Sequence, residues 1–118
     1  MITRVAIVEE DAAARETWTR LVDLADGFVC ASVSSSAEEA LSTVPQVSPD
    51  VVLMDRHLPG RSALDCADQL RELLPEVPVV MVSAGTDRAG IVLGLRLARL
   101  VHRVLPEVAL KHLDAVGA

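Results

Sequence analysis

Two sets of carboxylates stand at the ends of apolar runs. Asp55 closes Asp50-Val51-Val52-Leu53-Met54-Asp55 and leads into Arg56-His57-Leu58-Pro59-Gly60, while Glu9-Glu10-Asp11 follows Thr3-Arg4-Val5-Ala6-Ile7-Val8. An ionised carboxylate is almost never buried without a partner. Asp55 therefore either starts a turn or stands at the carboxyl edge of a parallel sheet, where open α/β folds build their sites. The second acidic cluster, at the end of another apolar strand, favours the site. Carboxylates brought together repel one another unless a positive charge offsets them. A hard divalent cation does so, and Mg²⁺ suits one or two carboxylates completed by water and phosphate oxygens. With the Ser83 hydroxyl at the end of a further apolar run, the set fits phosphoryl transfer. Asp55 would be the nucleophile that forms an aspartyl phosphate. Mg²⁺ would neutralise the developing charge, and Ser83 would donate to a phosphoryl oxygen.

The elements that must position these groups follow from periodicity. Thr3–Val8 is the first strand, and Trp18, Leu21, Val22 and Ala25 recur at helical spacing up to the stop at Asp26-Gly27. Phe28–Val33 is a short second strand. Ser36 caps a helix through Leu41 and Val44, with Glu39 placed for a capping box, and Pro45 and Pro49 bracket the loop into the central strand. Ser62 caps a helix carrying Leu64, Ala67, Leu70, Leu73 and Leu74, all expected in the core along with Trp18. Val77–Val82 is the fourth strand and Ser83-Ala84-Gly85 its carboxyl-end turn. A helix of about a dozen residues from Thr86 or Asp87, a strand over Val101–Leu105 and a helix over Pro106–Val116 complete the chain. Alternating strands and helices imply an α/β, doubly wound, five-stranded parallel sheet of order 2-1-3-4-5. That order puts the switch point between the first and third strands, where the acidic clusters converge.

The chain has 118 residues, enough for one domain with its own core, and only 2% aromatic residues in 51% hydrophobic content, so the core is aliphatic. A net charge of −6 argues against nucleic-acid binding by this chain. No apolar stretch is long enough to span a bilayer and no signal peptide precedes the first strand. Cys30 and Cys66 lack metal-ligand spacing and are expected as buried thiols of a cytoplasmic protein.

The motif DVVLMDRHLPG around Asp55, with VAIVEEDAAAR closed by Arg15 and VVMVSAG ending near Ser83, resembles the receiver domain of two-component response regulators. The resemblance runs over residues 1–118 and implies a flavodoxin-like fold. It makes Asp55 the phosphoacceptor, Glu10 and Asp55 ligands of Mg²⁺, Glu9 a ligand through water, and the His57 backbone carbonyl a further ligand. It also makes Ser83 the switch hydroxyl and Ala84 the small residue whose N–H faces the phosphoryl group. The partners implied are a sensor histidine kinase or phosphotransfer protein and an output domain or partner protein.

The departures bear on the mechanism. The family has aspartate where Glu10 stands, a second glycine where Ala63 stands, a lysine where Leu105 precedes Pro106, and an aromatic residue where His102 stands. Lys111 is the only lysine and there is no tyrosine. Arg103, two residues before Leu105, either takes over part of the lysine's work or is simply solvated. In the segment 86–105, an arginine stripe of Arg88, Arg96, Arg99 and Arg103 runs beside Ile91, Leu93, Leu95, Leu97 and Leu100. That is either a surface for a partner or a second copy, giving a homodimer, or an apolar helix with an ordinary solvated stripe. No basic helix-turn-helix segment occurs within these residues, so no DNA-binding output is expected from them. Two functional classes result: a phosphoacceptor signalling domain, not an enzyme beyond Mg²⁺-dependent gain and loss of phosphate at Asp55, or a degenerate receiver that binds proteins independently of phosphorylation. A true Mg²⁺ hydrolase would need a second general acid–base carboxylate that the motifs do not supply.

Overall fold

The computed structural model describes residues 2–58, 63–82 and, as a strand, 112–114. Strand β1 (Thr3–Val8) is followed by α1 (Ala12–Leu24), β2 (Phe28–Ser34), α2 (Ala37–Val47), β3 (Val51–Asp55), α3 (Ala63–Leu73), β4 (Val79–Val82) and β5 (His112–Asp114). The strands form one parallel sheet of order β2-β1-β3-β4-β5, the doubly wound order expected.

The strand sequences lack polar alternation because both faces of the sheet are covered. Val5, Ile7, Val51, Leu53, Val80 and Val82 point to one side, where Trp18 and Val22 of α1 and Phe28 meet them. Ala6, Val8, Val52, Met54, Val79 and Met81 point to the other, against Ala40 and Val44 of α2 and Cys66, Ala67 and Leu70 of α3. The helices begin where the sequence provides caps. Ser36 Oγ accepts from the Glu39 N–H at 3.1 Å, while the Glu39 carboxylate reaches back to the Ser35 N–H at 3.2 Å, one residue earlier than a simple capping box.

Several expectations are corrected. Pro45 lies inside α2 rather than in the loop after it, and the helix runs one turn further to Ser48, which turns left-handed at φ 47°. Proline removes the hydrogen bond to Leu41, but burying Val44 completely keeps the last turn in place. Leu64 and Leu73 are exposed, at 63% and 56%, because the inner face of α3 is instead Ala63, Cys66, Ala67 and Leu70. Cys30 is only half-buried whereas Cys66 is buried, and neither forms a disulfide among the described residues. Strand β4 starts at Val79, two residues later than the apolar run suggests.

The last helix expected over Pro106–Val116 is contradicted at His112–Asp114, which pair with Val79, Val80 and Met81 as β5. A strand of three residues is too short for either periodicity to register. The strand expected at Val101–Leu105 lies outside the described residues.

The exchange of Leu64 for Cys66 in the core carries a test. Leu70→Ala, at a site 2% exposed, should cost about 2–5 kcal/mol of unfolding free energy. Leu64→Ala should stay within about 0.5 kcal/mol of the unmodified protein, both measured by urea unfolding.

Candidate functional site

The register of β1 on β3 brings the acids together. Val5, Ala6, Ile7 and Val8 pair with Val51, Val52, Leu53 and Met54, so the next step along both strands sets Glu9 beside Asp55. Alternation then puts both side chains on the α1 side of the sheet, the side of Ile7 and Leu53.

Glu9 is fixed at several points. Its N–H donates to the Ser34 carbonyl of β2 at 3.0 Å. Its Oε1 accepts from the Asp11 N–H at 3.2 Å, and its carbonyl accepts from Arg15 Nη1 at 3.0 Å. The residue is 4% exposed, and Oε2 is buried without a well-formed hydrogen bond. Burial first, and then the Asp55 carboxyl facing it, push the Glu9 carboxyl from an ordinary 4.5 up to about 8, against the Asp11 N–H, which favours the charged form. Near neutral pH the Glu9 carboxyl therefore holds its proton.

Asp55 is half-buried at the carboxyl end of β3, and its Oδ1 accepts from the His57 N–H at 2.9 Å. The Arg56 N–H donates to the Val82 carbonyl at 2.8 Å, and buried Leu58 pins the turn to the core. The loop thus holds the carboxylate rather than merely following it.

The other members of the acidic cluster have different work. Asp11 caps α1, its Oδ2 accepting from the Ala14 N–H at 2.9 Å. Glu10 has an exposed side chain, and its carbonyl accepts from Arg15 Nη1 at 2.6 Å. The structure therefore brings Glu9 and Asp55 together and leaves the Glu10 carboxylate in solvent. Sequence reasoning missed the cap and the Arg15 contacts. An aspartate just before a run of helix formers was the signal for the first, and an arginine near the start of a helix, where its charge opposes the helix dipole, was the signal for the second. Ser83, Ala84, His102, Arg103, Leu105 and the segment 86–105 lie outside the described residues.

Among the described residues no group of three or more His, Cys, Asp or Glu side chains is gathered to hold a metal ion. Glu9 and Asp55 are thus a two-carboxylate site, with the Glu9 carboxyl buried and facing that of Asp55. That suits a cation which keeps most of its ligands as water or phosphate oxygens. No helix among the described residues is long and apolar enough to cross a membrane.

Residues 5–99 match the family model of the response regulator receiver domain. The chain is 38% identical over 95 residues to the DNA-binding response regulator MtrA of Mycobacterium tuberculosis, covering 80% of this chain and 40% of that protein. It is 30% identical over 88 residues to a protein-glutamate methylesterase/protein-glutamine glutaminase of Trichodesmium erythraeum, covering 75% of this chain and 25% of that one. The chain thus spans less than half the length of these curated relatives. In fold it is similar to the response regulator domain of Thermotoga maritima CheB, with a TM-score of 0.67 at 22% identity over 91% of this chain and 92% of that one.

Proposed function

This chain belongs to the response regulator receiver domain family, and on that premise we propose that Asp55 accepts a phosphoryl group from the phosphohistidine of a sensor histidine kinase or phosphotransfer protein. The phosphorylated domain then changes its affinity for an output partner, either a further domain of a longer chain or a separate protein. The observation that carries this reading is the Asp55 carboxylate held at the end of β3 by the His57 N–H and facing the buried Glu9. An Asp55 oxygen forms the new bond to phosphorus as the donor's P–N bond breaks, and the imidazole leaves with a proton.

The site fits Mg²⁺, since the buried Glu9 carboxyl faces a second carboxylate, that of Asp55. Glu9 and Asp55 would hold the ion, with the His57 carbonyl and the Glu10 carboxylate as the further candidates. When bound it offsets the negative charge that gathers on the phosphoryl oxygens. Ser83 is assigned as the hydroxyl that hydrogen-bonds the transferred group, and the Ala84 N–H as its neighbour. Incubation with Mg²⁺ and a small acyl phosphate should raise the intact mass by one phosphoryl group. No gain at any Mg²⁺ concentration would overturn the proposal.

A second reading, a protein-binding module independent of phosphorylation, is favoured by one feature. The family motif puts Leu105 at the lysine position, and the strand paired with β4 is His112–Asp114, followed by Ala115. Neither register offers a lysine or arginine at that strand's carboxyl end. In the family that cation holds the phosphoryl group and couples it to the hydroxyl side. A ligand shifts an equilibrium only by its differential contacts with the two states, so phosphorylation here should be Mg²⁺-dependent but structurally quiet. Leu105→Lys should enlarge the phosphorylation-induced NMR shifts over residues 86–105. Large shifts there in the unmodified protein would mean that another group, Arg103 first, has replaced the lysine.

A further inference from the structure

Arg15 is the fourth residue of α1, directly after the helix's first turn of Ala12, Ala13 and Ala14. A cation there opposes the positive end of the helix dipole, so its place calls for a compensating contact. The contact is double: Nη1 donates to the carbonyls of two successive residues, Glu9 at 3.0 Å and Glu10 at 2.6 Å. Those residues lie between β1 and α1, where neither a strand ladder nor a helix supplies donors for their carbonyls. The backbone of Arg15 is itself set by its N–H donating to the Asp11 carbonyl at 2.9 Å, and its carbonyl accepts from the Thr19 hydroxyl at 2.7 Å.

Resting on the reading of Asp55 as phosphoacceptor, we infer that Arg15 is a positioning residue for this site. By bridging the Glu9 and Glu10 carbonyls it holds the β1–α1 turn in the conformation that presents the Glu9 carboxyl to Asp55. The other ties on Glu9 leave this open. The Ser34 carbonyl fixes its N–H, and the Asp11 N–H fixes one carboxylate oxygen, but the peptide between Glu9 and Glu10 is anchored by Arg15. Once that peptide is released, the carboxyl group turns toward solvent and the two-carboxylate site opens.

The sign of the effect separates positioning from plain charge. Removing a positive charge near a cation site strengthens Mg²⁺ binding by Coulomb's law, whereas loss of positioning weakens it. Arg15→Gln should lower Mg²⁺ affinity about 10- to 100-fold, the range for groups that orient metal ligands, measured by calorimetry without phosphodonor. In the metal-free protein the Asp11 N–H resonance, which reports the bond to Glu9 Oε1, should move toward a solvent-exposed shift. Arg20→Gln, which removes the same charge from an exposed pair with Glu16 at 3.3 Å, should leave both unchanged. Should Arg15→Gln fail to fold, Arg15→Lys carries the test: an ammonium holds one carbonyl rather than two, and affinity falls by a smaller factor.

Unchanged or tightened Mg²⁺ binding with an unmoved Asp11 resonance would overturn the inference. If the unmodified protein takes up no phosphoryl group while Asp11 and Mg²⁺ affinity still respond to Arg15, the phosphoacceptor reading fails and the positioning role stands. A protein that is phosphorylated but in which neither readout depends on Arg15 retains the function and loses the inference.

Discussion

Asp55→Asn should gain no phosphoryl group under conditions in which the unmodified protein gains one, and it should at the same time be more stable at pH 8. The loss follows from chemistry, because an amide oxygen is a poor nucleophile and cannot form the acyl phosphate. The gain follows from the pair. Asp55 is one of the causes that push the Glu9 carboxyl up to about 8. An amide in its place carries no charge and can donate a hydrogen bond to the Glu9 carboxylate. Burial of Glu9 remains, so part of its upward shift remains too. Lost phosphate uptake with a raised thermal midpoint is the pattern of a site that sacrifices stability for activity. A mass gain that survives the substitution would move the phosphoacceptor to another residue.

Much of this site was legible in the sequence. The bounds of β1 and β3 follow from unbroken apolar runs, because strands covered on both faces carry no polar alternation. An acid at the end of each run marks the carboxyl edge of the sheet. What the sequence could not supply was which acid meets Asp55. That depends on strand register, and a shift of one residue would exchange Glu9 for Glu10. The resemblance to receiver domains ranks Glu10 first, whereas the pairing of Val8 with Met54 puts Glu9 next to Asp55.

Other departures have similar causes. Helical spacing favours Leu64 and Leu73 for the core, but small residues let α3 lie close to the sheet, and Ala63, Cys66 and Ala67 face inward instead. Pro45 reads as a helix stop because local propensity disfavours it, and tertiary burial of Val44 overrides that preference. The three ties on Glu9 involve Ser34, Asp11 and Arg15, of which only the last two lie within a local window.

The same buried acid sets an expected pH dependence of stability. The Glu9 carboxyl titrates near 8 in the folded protein and near 4.5 when unfolded. Below 4.5 it is protonated in both states and contributes no slope. Between 4.5 and 8 the folded state binds more protons than the unfolded one, so unfolding free energy falls as pH rises and levels off above 8. Asp55 and Asp11 face the group and keep the shift upward, while the Asp11 N–H opposes it. Glu9→Gln keeps the shape of the protonated acid and cannot ionise. Relative to the unmodified protein it should therefore gain at least about 1 kcal/mol between pH 5 and pH 8, less than the full shift implies because the turn is close to solvent. Added Mg²⁺ needs the charged carboxylate, so it should raise the unmodified protein's midpoint more at pH 8 than at pH 5 and raise that of Glu9→Gln little at either. Urea unfolding at both pH values, with and without Mg²⁺, measures all of this. Parallel pH profiles for the two proteins would show that Glu9 ionises normally in the folded state, and its upward shift would have to be abandoned.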